Sequence, residues 1–93
     1  MEDREIEELF FSVAENAGET KEEVRKVFFA LIRSTLRYRD HLLDSEGITL
    51  TVKDVQIVLD WLVPTLNTGK YPETENKIGL DLLKIWIDEL KII

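Results

Sequence analysis

Apolar side chains recur along the chain at steps of three and four residues, the period of helices that each turn one face inward. Between Asp3 and Ala17 the stripe is Ile6, Leu9, Phe10, Val13, Ala14 and Ala17, and the carboxylates of its first turn oppose the positive end of the helix dipole. Gly18 supplies a stop, and Thr20-Lys21-Glu22-Glu23 has the capping-box spacing that opens a second helix. Val24, Val27, Phe28, Leu31, Ile32, Thr35 and Leu36 continue the stripe, Leu42 and Leu43 carry it toward Asp44, and Ser45, Glu46 and Gly47 close it. A short extended piece is expected at Ile48-Thr49-Leu50-Thr51-Val52, where β-branched residues alternate. Thr51 then caps a third helix, with Asp54 at its third position.

The stripe of that helix is Val55, Val58, Leu59 and Leu62, and Pro64, which lacks an amide and crowds the carbonyl four residues back, predicts an end or kink near Leu62. Asn67, Thr68 and Gly69 form the turn, and Pro72 suits the first turn of a fourth helix. Ile78, Leu82, Leu83, Ile85, Trp86, Ile87, Leu90 and Ile92 make that helix apolar over much of its circumference. Gly79 inside it costs about 1 kcal/mol relative to alanine and marks either a close helix contact or a later helix start. Together these segments predict one all-α domain over residues 1–93, a small bundle of about four helices.

Composition narrows the function classes. The 93 residues include 19 acidic and 12 basic side chains and no cysteine, for a net charge of −7. Without cysteine there is no disulfide framework, thiolate zinc site, iron–sulfur cluster or cysteine nucleophile. No apolar run reaches the length of a membrane span, and Met1 is followed by charged Glu2, Asp3 and Arg4, so the expectation is a cytoplasmic chain with no membrane partner. Abundant glutamate, lysine and isoleucine with little methionine lean toward a heat-adapted source. The charge is uneven: residues 1–23 carry −7, residues 24–41 carry +4 and residues 42–93 carry −4. An acidic protein repels phosphate backbones, and the expectation for the basic block is pairing with the acidic first helix.

Reaction chemistry finds little to use. The single histidine, His41, lies beside Asp40 and three residues before Asp44, and metal sites recruit more ligands than this. The glycines at 18, 47, 69 and 79 are isolated, so no phosphate loop or dinucleotide fingerprint exists, and Ser12, Ser34 and Ser45 lack a nucleophile-elbow pattern. The expectation is a protein with no catalytic residues, no metal and no cofactor.

One spacing is more specific. Ala14, Gly18, Val24 and Val27 follow the helix-turn-helix pattern of a small residue, a turn glycine and later apolar anchors. The stretch from Ile6 to Leu36, with Val13-Ala14-Glu15-Asn16-Ala17-Gly18 before Thr20-Lys21, resembles the opening helical pair of the bacterial histone-like HU proteins. Thr68-Gly69-Lys70-Tyr71-Pro72-Glu73-Thr74 looks like the tip of that family's DNA-binding arm. The resemblance implies a dimer first, because that helical pair chiefly forms the family's dimer, and DNA contact second. Two departures stand against it: the family continues into a β-sheet with arginine-rich arms, whereas residues 52–63 have helical period here and the chain is acidic.

The apolar surplus points elsewhere. Phe10 and Phe11 are adjacent, as are Phe28 and Phe29, and adjacent positions on a helix face directions about 100° apart, so one stripe does not hold both members of a pair. With Trp61, Trp86 and the tail Leu90, Ile92 and Ile93, the apolar bulk exceeds what a lone small bundle hides. The sequence therefore reads as a non-catalytic interaction or accessory subunit, a homodimer, whose interface uses Phe10, Phe11, Phe28, Phe29, Trp61, Trp86, Ile92 and Ile93. The alternative is a helix-turn-helix-like nucleic-acid binder that uses Lys21, Arg25, Lys26, Arg33 and Arg37.

Overall fold

In a computed structural model, which describes residues 2–16 and 22–92, the chain forms four helices: α1 (Asp3–Asn16), α2 (Glu22–Glu46), α3 (Val52–Thr68) and α4 (Lys77–Ile92). Among the described residues there is no strand, and the all-α class read from the periodicity is the fold. Gly18 and the Thr20 cap lie outside the described residues.

Each described helix boundary has a local cause. At the start of α1 the Glu2 amide donates to Glu5 Oε1 at 3.1 Å, which satisfies a donor that the helix itself leaves unpaired. α2 ends where expected: Gly47 takes φ +64°, and its amide and that of Ile48 close onto the carbonyls of Leu43 and Leu42 at 3.1 and 3.2 Å. The segment after it is not a strand; Leu50 is fully buried and ties it to the core. Thr51 builds the capping box in full: Asp54 N donates to Thr51 Oγ1 at 3.2 Å, and Thr51 N donates to Asp54 Oδ2 at 3.0 Å.

Two expectations are corrected. Of the end or kink expected near Leu62, the end is overturned: α3 runs through Pro64 to Thr68 and stops at Gly69, whose φ is +71° and whose amide donates to Thr65 O at 2.8 Å. Asp60 and Pro64 are both exposed, so water can serve the carbonyl that the proline leaves without a partner, and the local penalty does not outweigh the helix on either side. Nor does Pro72 start α4. The helix begins at Lys77, and Asn76 caps it: Gly79 N donates to Asn76 Oδ1 at 3.0 Å, and Leu80 N to Asn76 O at 3.0 Å.

The reason lies in topology. α2 and α4 run in opposite senses, since Tyr38 reaches Ile78 at the start of α4, Thr35 reaches Trp86, and Arg33 shares a hollow with Glu89 near its end. α3 and α4 run in the same sense, with Trp61 over Gly79 in the first turn of α4 and Thr65, Leu66 and Gly69 beside Ile87 and Lys91 at its end. The chain must therefore travel back along α4 before that helix starts. Residues 70–76 make this return, held by Lys84 Nζ over the Tyr71 ring at 5.8 Å from its centroid.

The core is Ile6 and Phe10 from α1; Leu31, Ile32, Tyr38 and Leu42 from α2; Leu50; Val55 and Val58 from α3; and Leu82, Leu83 and Trp86 from α4. At its centre the buried Thr35 hydroxyl donates to Leu31 O at 2.7 Å and accepts from Trp86 Nε1 at 2.9 Å. The threonine thus satisfies the one polar atom of the largest core side chain.

The caps supply a direct check on these boundaries. Thr51→Ala and Asn76→Ala should each lower stability by about 1 kcal/mol in denaturant titrations. Unchanged midpoints for both would show that α3 and α4 start elsewhere.

Candidate interaction surface

The adjacent phenylalanines divide between the two sides of the α1–α2 hairpin. The helices are antiparallel, as the pairings Asp3 with Arg39, Phe10 with Phe28 and Phe11 with Phe29 require. Phe10 is fully buried and meets Trp86 edge-on at 5.4 Å and Phe28 at 5.8 Å. Phe11 and Phe29 pair edge-to-face at 5.8 Å and 77°, with Phe11 half-buried and Phe29 48% exposed.

The interface read from the sequence is corrected accordingly. Phe10 and Trp86 are 0% exposed and belong to the core, so neither is available to a partner of the folded chain. Phe28 and Trp61 are half-buried and packed against that core. Of the remainder, Phe11 and Phe29 face outward together, Ile92 is 81% exposed at the end of α4, and Ile93 lies outside the described residues. Exposed apolar residues that the sequence reading passed over are Val63 and Leu66 on α3 and Leu43 on α2. Helical phase contained a signal for Val63, which sits off the stripe set by Val55, Val58 and Thr65, but none for Leu66, which is in phase with Val55 and Leu62.

Internal neutralisation accounts for only part of the basic block. Arg39 bonds Asp3 at the start of α1 and Asp40 beside it at 3.0 Å, and the Asp3 bond raises its pKa above the ordinary arginine value. Arg25, Lys26, Arg33 and Arg37 are exposed and form no ion pair among the described residues. Lys21 lies outside the described residues.

A groove separates α2 from α4. Ser34, Arg37, Tyr38, His41, Ile85 and Glu89 line a hollow of about 310 Å³, and Arg33 and Ala30 line a smaller one of about 150 Å³ that shares Ser34, Arg37 and Glu89. Arg33, Arg37 and His41 follow one another at steps of four, a spacing visible in the sequence that composition alone hides. The Tyr38 hydroxyl donates to Ile78 O at 3.4 Å. Burial, reinforced by the charges of Asp81 and Glu46 and a hydrogen bond to Asp81, pushes its pKa up to about 12, so it stays a neutral donor. His41 stands at the exposed edge, its Nδ1 3.4 Å from Ser45 Oγ. No cluster of three or more potential metal ligands occurs among the described residues, and no described helix is long and apolar enough to cross a membrane. The groove brings guanidinium groups, an imidazole and one carboxylate together.

No protein family's model matches the chain, and neither the curated proteins nor the solved structures yield a significant match. The likeness to the histone-like HU proteins is therefore confined to the residues that carry it. Residues 68–74 do not form the tip of an arm between strands; they close α3 and open the return toward α4.

Proposed function

We propose that this protein is a non-catalytic interaction subunit that self-associates through the outer face of the α1–α2 hairpin. The observation that supports the reading is the Phe11–Phe29 pair, two aromatic rings in contact on the side of the hairpin away from the core, one of them 48% exposed. Aromatic anchors of this kind are favoured at the centres of protein interfaces because they bury much area at little cost in conformational entropy. A small domain without disulfides also gains stability when it buries such a face against another subunit.

Light scattering tests the reading. The 10.9 kDa chain should run at about twice its mass at micromolar concentration, and Phe29→Asp should return it to one chain while leaving its helical circular dichroism intact. A wild-type chain still monomeric at roughly 100 µM would exclude the proposal.

A second reading has its own support in the basic residues Arg25, Lys26, Arg33 and Arg37, exposed on α2 and without ion pairs among the described residues. As a nucleic-acid footprint, with Lys21, they would bind duplex DNA near roughly 50 mM salt, lose it steeply as salt rises, and fail to bind in the double variant Arg33→Glu with Arg37→Glu. The net charge of −7 ranks this second.

A further inference from the structure

We infer that the partner of the Phe11–Phe29 face is a second copy of this chain, placed by a two-fold axis parallel to the hairpin so that α1 of each copy lies on α2 of the other. This rests on the self-association proposed above and adds its geometry. Phe11 is flanked one helical turn to each side by Glu7 and Glu15, and Phe29 by Arg33 and Arg25. Steps of four keep each trio on one helix face. Because the helices are antiparallel and Phe11 meets Phe29, Glu7 is level with Arg33 and Glu15 with Arg25. All four charged residues are exposed, and no ion pair joins them within the chain. The hairpin thus presents an acidic ladder and a basic ladder side by side, at matched heights, with a ring at the middle of each.

Two face-to-face arrangements keep the phenylalanines at the centre. If the two-fold axis lies across the hairpin, α1 meets α1 and α2 meets α2 with heights inverted, which sets Glu7 against Glu15 of the partner subunit and Arg25 against Arg33 of the partner subunit. If it lies along the hairpin, heights are preserved and the helices exchange partners. Glu7 then meets Arg33 of the partner subunit, Phe11 meets Phe29 of the partner subunit, and Glu15 meets Arg25 of the partner subunit. An isologous interface repeats each contact, so four ion pairs surround four rings. Like charges opposed in an interface are strongly unfavourable, and only the second arrangement avoids them. A second copy also fits better than nucleic acid, because Glu7 and Glu15 stand beside the arginines that a phosphate would approach.

Charge exchange tests the geometry. Glu7→Arg with Glu15→Arg, and separately Arg25→Glu with Arg33→Glu, should each weaken the dimer at least about tenfold, whereas all four substitutions in one chain should restore it. Failure of the fourfold variant to dimerise, with its helical spectrum unchanged, would overturn the arrangement, as would undiminished dimers in both double variants. Cysteine cross-linking is independent of this result, since the chain has no cysteine of its own. A mixture of Glu7→Cys and Arg33→Cys chains should form an oxidised dimer that neither chain forms alone. Cross-linking of Glu7→Cys chains to Glu15→Cys chains would establish the other axis and leave self-association standing. A wild-type chain that stays monomeric would remove both proposals.

Discussion

Trp86→Ala is expected to cost about 3–5 kcal/mol, a large share of what holds the fold. A domain of this kind holds only about 5–15 kcal/mol in total. Trp86 is fully buried in α4, and the Phe10 ring from α1 meets it edge-to-face. Its removal leaves a hole in the core beside Phe10, and a four-helix frame collapses only partly to fill it. Its indole N–H is the second part of the effect, bonded to Thr35 at 2.9 Å. Thr35→Val keeps the shape but removes the acceptor, and should cost about 1–3 kcal/mol because a buried donor is left unpaired. Guanidinium titration of both variants checks the order; a Trp86→Ala loss no larger than that of Thr35→Val would mean that packing around the ring is looser than the structure indicates.

Gly79→Leu is the second large effect, expected at about 2–3 kcal/mol, and two opposing terms decide its sign. Glycine in a helix forfeits about 1 kcal/mol relative to a good helix former, so substitution would help if space allowed. It does not. A Cβ at this position would stand 2.7 Å from Trp61 Cζ3, 3.0 Å from Trp61 Cη2 and 3.1 Å from Asn76 Nδ2. The indole is a rigid plate, so relief requires the whole ring to swing off the start of α4, and Asn76 is the residue that caps that helix. The strain therefore outweighs the gain in propensity. A double-mutant cycle with Trp61→Ala isolates the cause: Gly79→Leu should become nearly neutral when the indole is gone, and additive losses would show that the clash is not responsible.

These two sites also show what local sequence conveys. The C-terminal end of α2 and the start of α3 were legible because their causes lie within a few residues: Gly47 at positive φ, and Thr51 with Asp54. The glycine at 79 was legible as one of two possibilities, and Trp61, 18 positions earlier, decides between them. Pro64 misled because its penalty is local and modest where water reaches the freed carbonyl. Pro72 misled for a topological reason, since a first-turn proline is a good guess until residues 70–76 are needed to bring the chain back.

The proposed interaction face was half legible. Adjacent phenylalanines state that one ring of each pair leaves the core, but not which one. For α1 the choice is made by Trp86, 76 positions away from Phe10. The same distance effect hid the ladders. Glu7 with Glu15 and Arg25 with Arg33 read as ordinary solvated charges until the contact between Phe11 and Phe29 fixes their relative heights.

The same-sense run of α3 and α4, with its return segment, bears on how the polypeptide acquires its fold during synthesis. The hairpin of α1 and α2 has its partners close by in the chain, but the contacts that complete the core join Thr35 to Trp86 across 51 residues and Tyr38 to Ile78 across 40. As the chain leaves the ribosome, Phe10 stays without its Trp86 partner until α4 has emerged and doubled back. The nascent intermediate therefore exposes on its inner side the apolar surface that the finished protein hides. Of the four helices, α4 closes the core.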